Sequence, residues 1–117
     1  MSIEFLDSVW IDVTVRGAPA RLLVREPNAL EGVRYFSAIQ KWRDRLESEE
    51  TALESMIQVH LNLLAACVLN ADGFAVPYPA DGTLTERLAW LVRLPWGDVS
   101  GLASKVAMVG YPANFPA

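Results

Sequence analysis

The chain has 117 residues, 14 of them acidic and 10 basic, for a formal net charge of −4, and 52% are hydrophobic, with one Cys and one His. That length suits one compact domain, and so apolar a chain can offset the entropy of ordering by burial, which argues against intrinsic disorder. A lone Cys makes no internal disulfide, one Cys with one His makes no thiolate or imidazole zinc cluster, and the negative balance disfavours the nucleic-acid backbone as a partner. What remains is mostly a binding role.

Met1-Ser2-Ile3-Glu4 carries no basic stretch ahead of an apolar one, and the first positive charge is Arg16, so a secretory signal is not expected. The longest apolar run, Leu63 to Leu69, is far shorter than the roughly 20 residues of a membrane span. A cytoplasmic protein with no membrane partner is the expectation.

Residues 9–16 alternate, with Val9, Ile11, Val13 and Val15 on one side and Trp10, Asp12, Thr14 and Arg16 on the other. Period two with β-branched residues predicts a half-buried strand. Gly17-Ala18-Pro19 supplies a turn, after which Leu22 and Val24 face one way and Arg21, Leu23 and Arg25 the other. The segment 1–26 therefore reads as a β-hairpin, which needs helices or another copy against its apolar face.

After Pro27 the period becomes helical. Asn28 followed by Glu31 looks like a capping box, and Leu30, Val33, Phe36, Ile39, Trp42 or Arg43, and Leu46 recur over a first helix spanning about 29–47. A second helix starts near Ser48 and carries Leu53, Met56, Ile57, Leu61, Leu64, Val68 and Leu69, stopping at Asp72-Gly73. The two long helices thus fill 28–71. Phe74 to Gly82, with Pro77 and Pro79, reads as a loop. Thr83 to Glu86 is a capping box for a third helix with Leu84, Leu88, Leu91 and Val92, ended by Pro95. Asp98 is expected to cap a fourth with Val99, Leu102, Val106 and Val109, stopped by Gly110 and Pro112. These two short helices occupy 83–110, with a tail over 111–117. The fold class is α+β, mostly α: one domain over 1–117, an N-terminal β-hairpin followed by about four α-helices.

Charge is unevenly spread. Residues 1–58 hold ten acidic and seven basic side chains, residues 59–117 only four and three. Either the second half presents a surface covered by a partner, or helices two to four form the core while the hairpin and first helix face water. Trp10, Leu23, Trp90, Trp96, Tyr111 and Phe115 are the candidate protein-binding residues, the aromatic ones because interfaces are enriched in them. Met56 and Met108 would let such a surface adapt to varied sequences, or fill core gaps.

Groups fit for catalysis are scarce. His60 borders the apolar stripe of the second helix and reads as a satisfied histidine, since neither Ser55 nor Cys67 stands at a helical spacing that sets it squarely beside the ring. Cys67, in the apolar run, reads as a small buried hydrophobe. Glu47, Glu49, Glu50 and Glu54 read as a solvated helix start, and Lys41, Arg43 and Arg45, interleaved with Asp44 and Glu47, as salt-bridged helix surface. The glycines at 73, 82, 97, 101 and 110 are dispersed and form no phosphate loop. No catalytic residue, metal or cofactor is expected; a hydrolase or metal enzyme built on His60 is the remainder.

The hairpin from Ser8-Val9-Trp10-Ile11-Asp12-Val13-Thr14-Val15 to Leu22-Leu23-Val24-Arg25-Glu26-Pro27, the helix running directly from it, the second helix closed by Asp72-Gly73-Phe74 and the short helical C-terminus together resemble the tail assembly chaperones of long-tailed bacteriophages. The resemblance covers most of the chain in order and size, without a catalytic signature. It implies a non-enzymatic protein of the host cytoplasm, absent from the mature virion. That protein would coat the apolar, helical tape measure protein while tail tube subunits assemble around it. Members are made as short and longer forms through a ribosomal frameshift, and this chain corresponds to the short one. The partners implied are the tape measure protein as client, the tail tube protein and further copies of the chain. A different class of binder, an adaptor such as a head-tail connection component or an antitoxin-like protein with an obligate partner, is the alternative. Helices two to four are the expected client surface and the hairpin the expected self-association surface.

Overall fold

The period-two stretches form the hairpin they predict. In the computed structural model, which describes residues 8–109, β1 (Val9–Val15) and β2 (Ala18–Val24) pair antiparallel, Val9 opposite Val24 and Val15 opposite Ala18. Arg16 and Gly17 make the reversal at φ 52° and 75°, the left-handed setting that a two-residue hairpin turn favours. The turn thus begins one residue before the expected Gly17-Ala18-Pro19, and Pro19 lies inside β2 opposite Thr14. Beside a hairpin closed by Val15 and Ala18, that pair exchanges no backbone hydrogen bonds, so the missing proline N–H leaves no gap in the ladder with β1.

A third strand, β3 (Val68–Asp72), pairs antiparallel with the other edge of β2, giving the order β1-β2-β3. This corrects the second long helix, expected to fill the chain to residue 71. Helix α2 (Ala52–Cys67) stops at Cys67, and Val68 is already extended at φ −78° and ψ 119°. The Arg25 N–H donates to the Cys67 carbonyl at 2.9 Å, carrying the sheet ladder back to the last helical residue. Val24 stands opposite Val68 and Leu23 opposite Asn70, which leaves Leu69 as the extra residue of a bulge. Gly73 ends the strand at φ 96°, where an added Cβ would lie 3.2 Å from the Ala20 Cα, so both conformation and space select glycine.

Helix α1 (Ala29–Arg43) opens on the expected capping box: the Glu31 N–H donates to the Asn28 side chain at 2.9 Å and the Asn28 N–H to the Glu31 carboxylate at 3.0 Å. It ends four residues before the expected 47, with turns over residues 44–48, and α2 begins at Ala52 behind Thr51 rather than at Ser48. Helix α3 (Leu84–Leu91) opens on the Thr83–Glu86 capping box and tightens before Pro95. Helix α4 (Trp96–Ala107) starts after Pro95, so Asp98 sits in its first turn and does not cap it. The Asp98 carboxylate instead accepts the Arg16 N–H at 3.1 Å, fastening the hairpin turn to α4. Lys105 Nζ donates to the Asp12 carbonyl farther along β1.

Helix α2 is the hub, packed on α1, α3 and α4. Its Leu64 and Cys67 meet Val24 and Val68 of the sheet, Leu91 of α3 and Val106 of α4 in the buried cluster. Most of the buried residues lie after residue 58, as the second of the two explanations drawn from charge expects, although Leu84, Val92 and Trp96 of the same half stand exposed. The 74–82 loop is cinched to this core: the Tyr78 hydroxyl donates to the Val68 carbonyl at 2.9 Å, and the Trp90 indole N–H to the Val76 carbonyl at 3.0 Å.

Leu64 is fully buried and Leu30 is 64% exposed. Leu64→Ala is therefore expected to lower the free energy of unfolding by about 2–5 kcal/mol and Leu30→Ala by no more than about 0.5 kcal/mol, read from urea denaturation followed by circular dichroism.

Candidate protein-binding surface

The rotation of α1 about its own axis sets which side chains face outward, and one carboxylate pins its start. Arg25, just past β2, donates two hydrogen bonds of 2.7 Å to the two Glu31 oxygens, and the same carboxylate accepts the Asn28 N–H in the capping box. Hydrogen bonding to Arg25, with the Asn28 N–H and charge adding, holds the Glu31 carboxyl at about 2 against partial burial, which works the other way. The hairpin and α1 are thereby locked in register.

With α1 so held, Tyr35 and Ile39 turn into the core and Trp42 is half-buried. Leu30, Val33 and Phe36 turn away from it, 64%, 65% and 51% exposed. Spacing alone puts Leu30, Val33, Phe36 and Ile39 on one stripe, but at roughly 100° per residue a spacing of three slips about 60° at each step. Leu30 and Ile39 therefore sit half a turn apart. The true inward pair is Tyr35 and Ile39 at spacing four, and α1 carries a second apolar face. That face was the signal missed: an unbroken spacing of three from Leu30 to Trp42, with a further aromatic, Tyr35, off the stripe. Part of the outward face forms one wall of a groove that includes Ala29, Gly32, Val33 and Phe36 with Glu26, Asn28 and Ser37, and is closed on the other side by Ala107 at the end of α4 and Val109 just past it.

The candidate binding residues within the described structure do not form one patch. Trp10 is 40% exposed on the outer face of the sheet, its ring 4.8 Å from the Arg21 guanidinium and its position directly opposite half-buried Leu23. Arg21 is also 3.3 Å from Asp72, so this apolar spot is rimmed by an ion pair. Trp96, 76% exposed, begins α4 at the hairpin-turn end, where Asp98 meets Arg16. Trp90 is placed in the core: its ring meets Phe74 and Tyr78 edge-on at 4.9 and 5.0 Å, so it anchors the 74–82 loop. Tyr111 and Phe115 lie outside the described residues.

His60 is buried, its Nδ1 2.8 Å from the Tyr35 hydroxyl. Burial, with the nearby Arg43 charge, lowers its pKa and favours the neutral ring. Burial also pushes the Cys67 thiol up to about 11, so it stays protonated at neutral pH. Among the described residues no three of His, Cys, Asp and Glu converge as a metal site would need. Compared with family models, curated proteins and solved structures, the chain matches none.

Because the Glu31 carboxyl titrates at about 2 in the fold against an ordinary value of 4.5, its contribution is present above pH 4.5 and lost as pH falls from there toward 2. Glu31→Gln should cost about 1–2 kcal/mol at pH 7 and flatten the stability profile across that acid window, measured by urea unfolding at several pH values. Tyr35→Phe leaves the buried His60 Nδ1 without its partner and should cost about 1–3 kcal/mol in the same assay at pH 7.

Proposed function

We propose that this chain is a non-enzymatic tail assembly chaperone of a long-tailed bacteriophage, which binds the apolar helical tape measure protein in the host cytoplasm and is left out of the mature virion. The observation that carries this reading is the outward face of α1, where Leu30, Val33 and Phe36 stand exposed beside a groove that includes Gly32 and Ala29. A strip of that kind matches helix-in-groove recognition, in which an amphipathic helix lays its apolar side between two others. Small residues at 29 and 32 let a client helix approach closely, and Val33 and Phe36 beside them offer apolar contact that does not depend on one client sequence. The order of hairpin, two helices and the Asp72-Gly73 turn, on which the resemblance to the chaperones rests, supports the same reading. In this account the client groove lies on α1 and the end of α4 rather than on helices two to four alone.

Self-association fits the outer sheet face at Trp10 and Leu23 better than the β1 edge, since the Lys105 ammonium sits on the Asp12 carbonyl at that edge. Contact with the tail tube protein belongs to the same proposal and derives from the resemblance.

The test is co-expression with the tape measure protein from the same genome. The chain should keep that protein in the supernatant and co-purify with it, and a Val33→Asp, Phe36→Asp variant with an unchanged melting curve should lose about tenfold or more of the capture. Recovery of the tape measure protein that is the same with and without the chain, or stoichiometric amounts of the chain in purified particles, would overturn the proposal; the second result is what an obligate structural adaptor predicts.

A further inference from the structure

A strand at the end of a sheet offers unpaired N–H and C=O groups to any extended chain that comes alongside, a second copy included. Among the described residues the sheet ends in β1 on one side and β3 on the other. Hydrogen bonding alternates along an antiparallel pair closed by Val15 and Ala18, so Trp10, Asp12 and Thr14 turn their backbone groups away from β2. By the same alternation Arg21 and Leu23 serve β3 opposite Asp72 and Asn70, and Ala71 between those two turns its own groups outward. A fourth strand would pair at these positions.

Side chains have taken several of them. On the β1 edge the Lys105 ammonium sits on the Asp12 carbonyl, and the Asp98 carboxylate accepts the Arg16 N–H at 3.1 Å. What stays open on β1 is broken into single residues on either side of Asp12. On the β3 edge the Asn70 side chain accepts the Ala71 N–H at 2.9 Å, while the Tyr78 hydroxyl holds the Val68 carbonyl where the strand begins. We propose that Lys105, Asp98 and Asn70 are edge caps, which keep the sheet at three strands by occupying the groups through which a strand of a second copy would add.

Two observations separate caps from incidental contacts. A buried donor must find an acceptor somewhere, which accounts for Tyr78, but Lys105 is exposed and Asn70 half-buried. Both have water within reach and still bond the outward backbone groups. The body of α4 does not close the β1 edge either. Toward Thr14 the helix presents Gly97 and Gly101, and a Cβ added at either would meet nothing within 4 Å. The barrier there is the pair of charged side chains. β1 needs one, since Val-Trp-Ile-Asp-Val-Thr-Val is rich in the β-branched and aromatic residues that pair readily. These caps extend the placement of self-association on the outer sheet face, and they stand whatever the client is.

The experiment follows backbone amide hydrogen exchange in the full chain at two widely separated protein concentrations. In the wild type, exchange at Asp12, Thr14 and Ala71 should be the same at both. An Asp98→Ala, Lys105→Met variant should slow Asp12 and Thr14 about tenfold at the higher concentration and leave Ala71 unchanged, while Asn70→Ala should slow Ala71 alone. Lys105→Met by itself carries the β1 test if the double variant melts early. Arg45→Ala, which removes a charge from the surface pair with Glu49, should alter none of the three amides. Edge amides in folded cap variants that exchange alike at both concentrations would overturn the proposal. So would wild-type protection of Asp12 or Thr14 that grows with concentration, or an Arg45→Ala variant that behaves as the cap variants do. Capture of the tape measure protein is a separate readout, so either proposal can fail without the other.

Discussion

The uninterrupted passage from α2 into β3 at Cys67 and Val68 is the constraint on which the rest of the molecule depends. No loop separates helix from strand, so the direction of α2 dictates where β3 lies, and β3 in turn holds β2 by its free edge. Helices α1, α3 and α4 pack on α2, and β3 runs on from it as an edge of the sheet, so one continuous segment joins the helical and the strand layers. The bulge at Leu69 lets that work. It shifts the alternation by one residue, so that Val68 enters the core while Leu23 and Asn70 stay paired on the outer face.

Helix α1 is joined to this spine by side chains more than by backbone. The Arg25–Glu31 pair fixes its first turn to the end of β2, and Tyr35 meets His60 across the interface with α2. Both contacts lie on the inward side. The outward side is free of such demands and carries large apolar groups all the same, which folding of the single chain does not explain. The proposed function reads that outward strip as a face for a partner to cover.

Much of this was legible in the residues. The alternation over 9–16 and 20–25 led to the hairpin, and two capping boxes, at Asn28 with Glu31 and at Thr83 with Glu86, placed the starts of α1 and α3. β3 was hidden because Leu63 to Leu69 is apolar throughout and so has no period to separate helix from strand; only pairing with β2 decides where the helix stops. Asp98 passed for a cap because its type and spacing suit one, while its actual partner, the Arg16 amide, lies 82 residues away. Trp90 drew notice as an interface aromatic, yet its inward turn depends on the 74–82 loop wrapping it, which no local pattern announces. The two faces of α1 were legible in principle, from the drift of a spacing of three against a helix of 3.6 residues per turn.

The ladder between Val24 and Val68 also has a meaning for the order in which the chain assembles. It closes a loop of about 44 residues, and left to a flexible chain that closure is slow and costly in entropy. Here most of the intervening chain is α1 and α2, which can pair side by side as an antiparallel helical hairpin and bring Val68 back toward Val24 before any strand contact is made. The two helices act as a splint: the β1–β2 hairpin forms from near neighbours, the helices shorten the path, and the third strand is delivered to an edge already waiting for it.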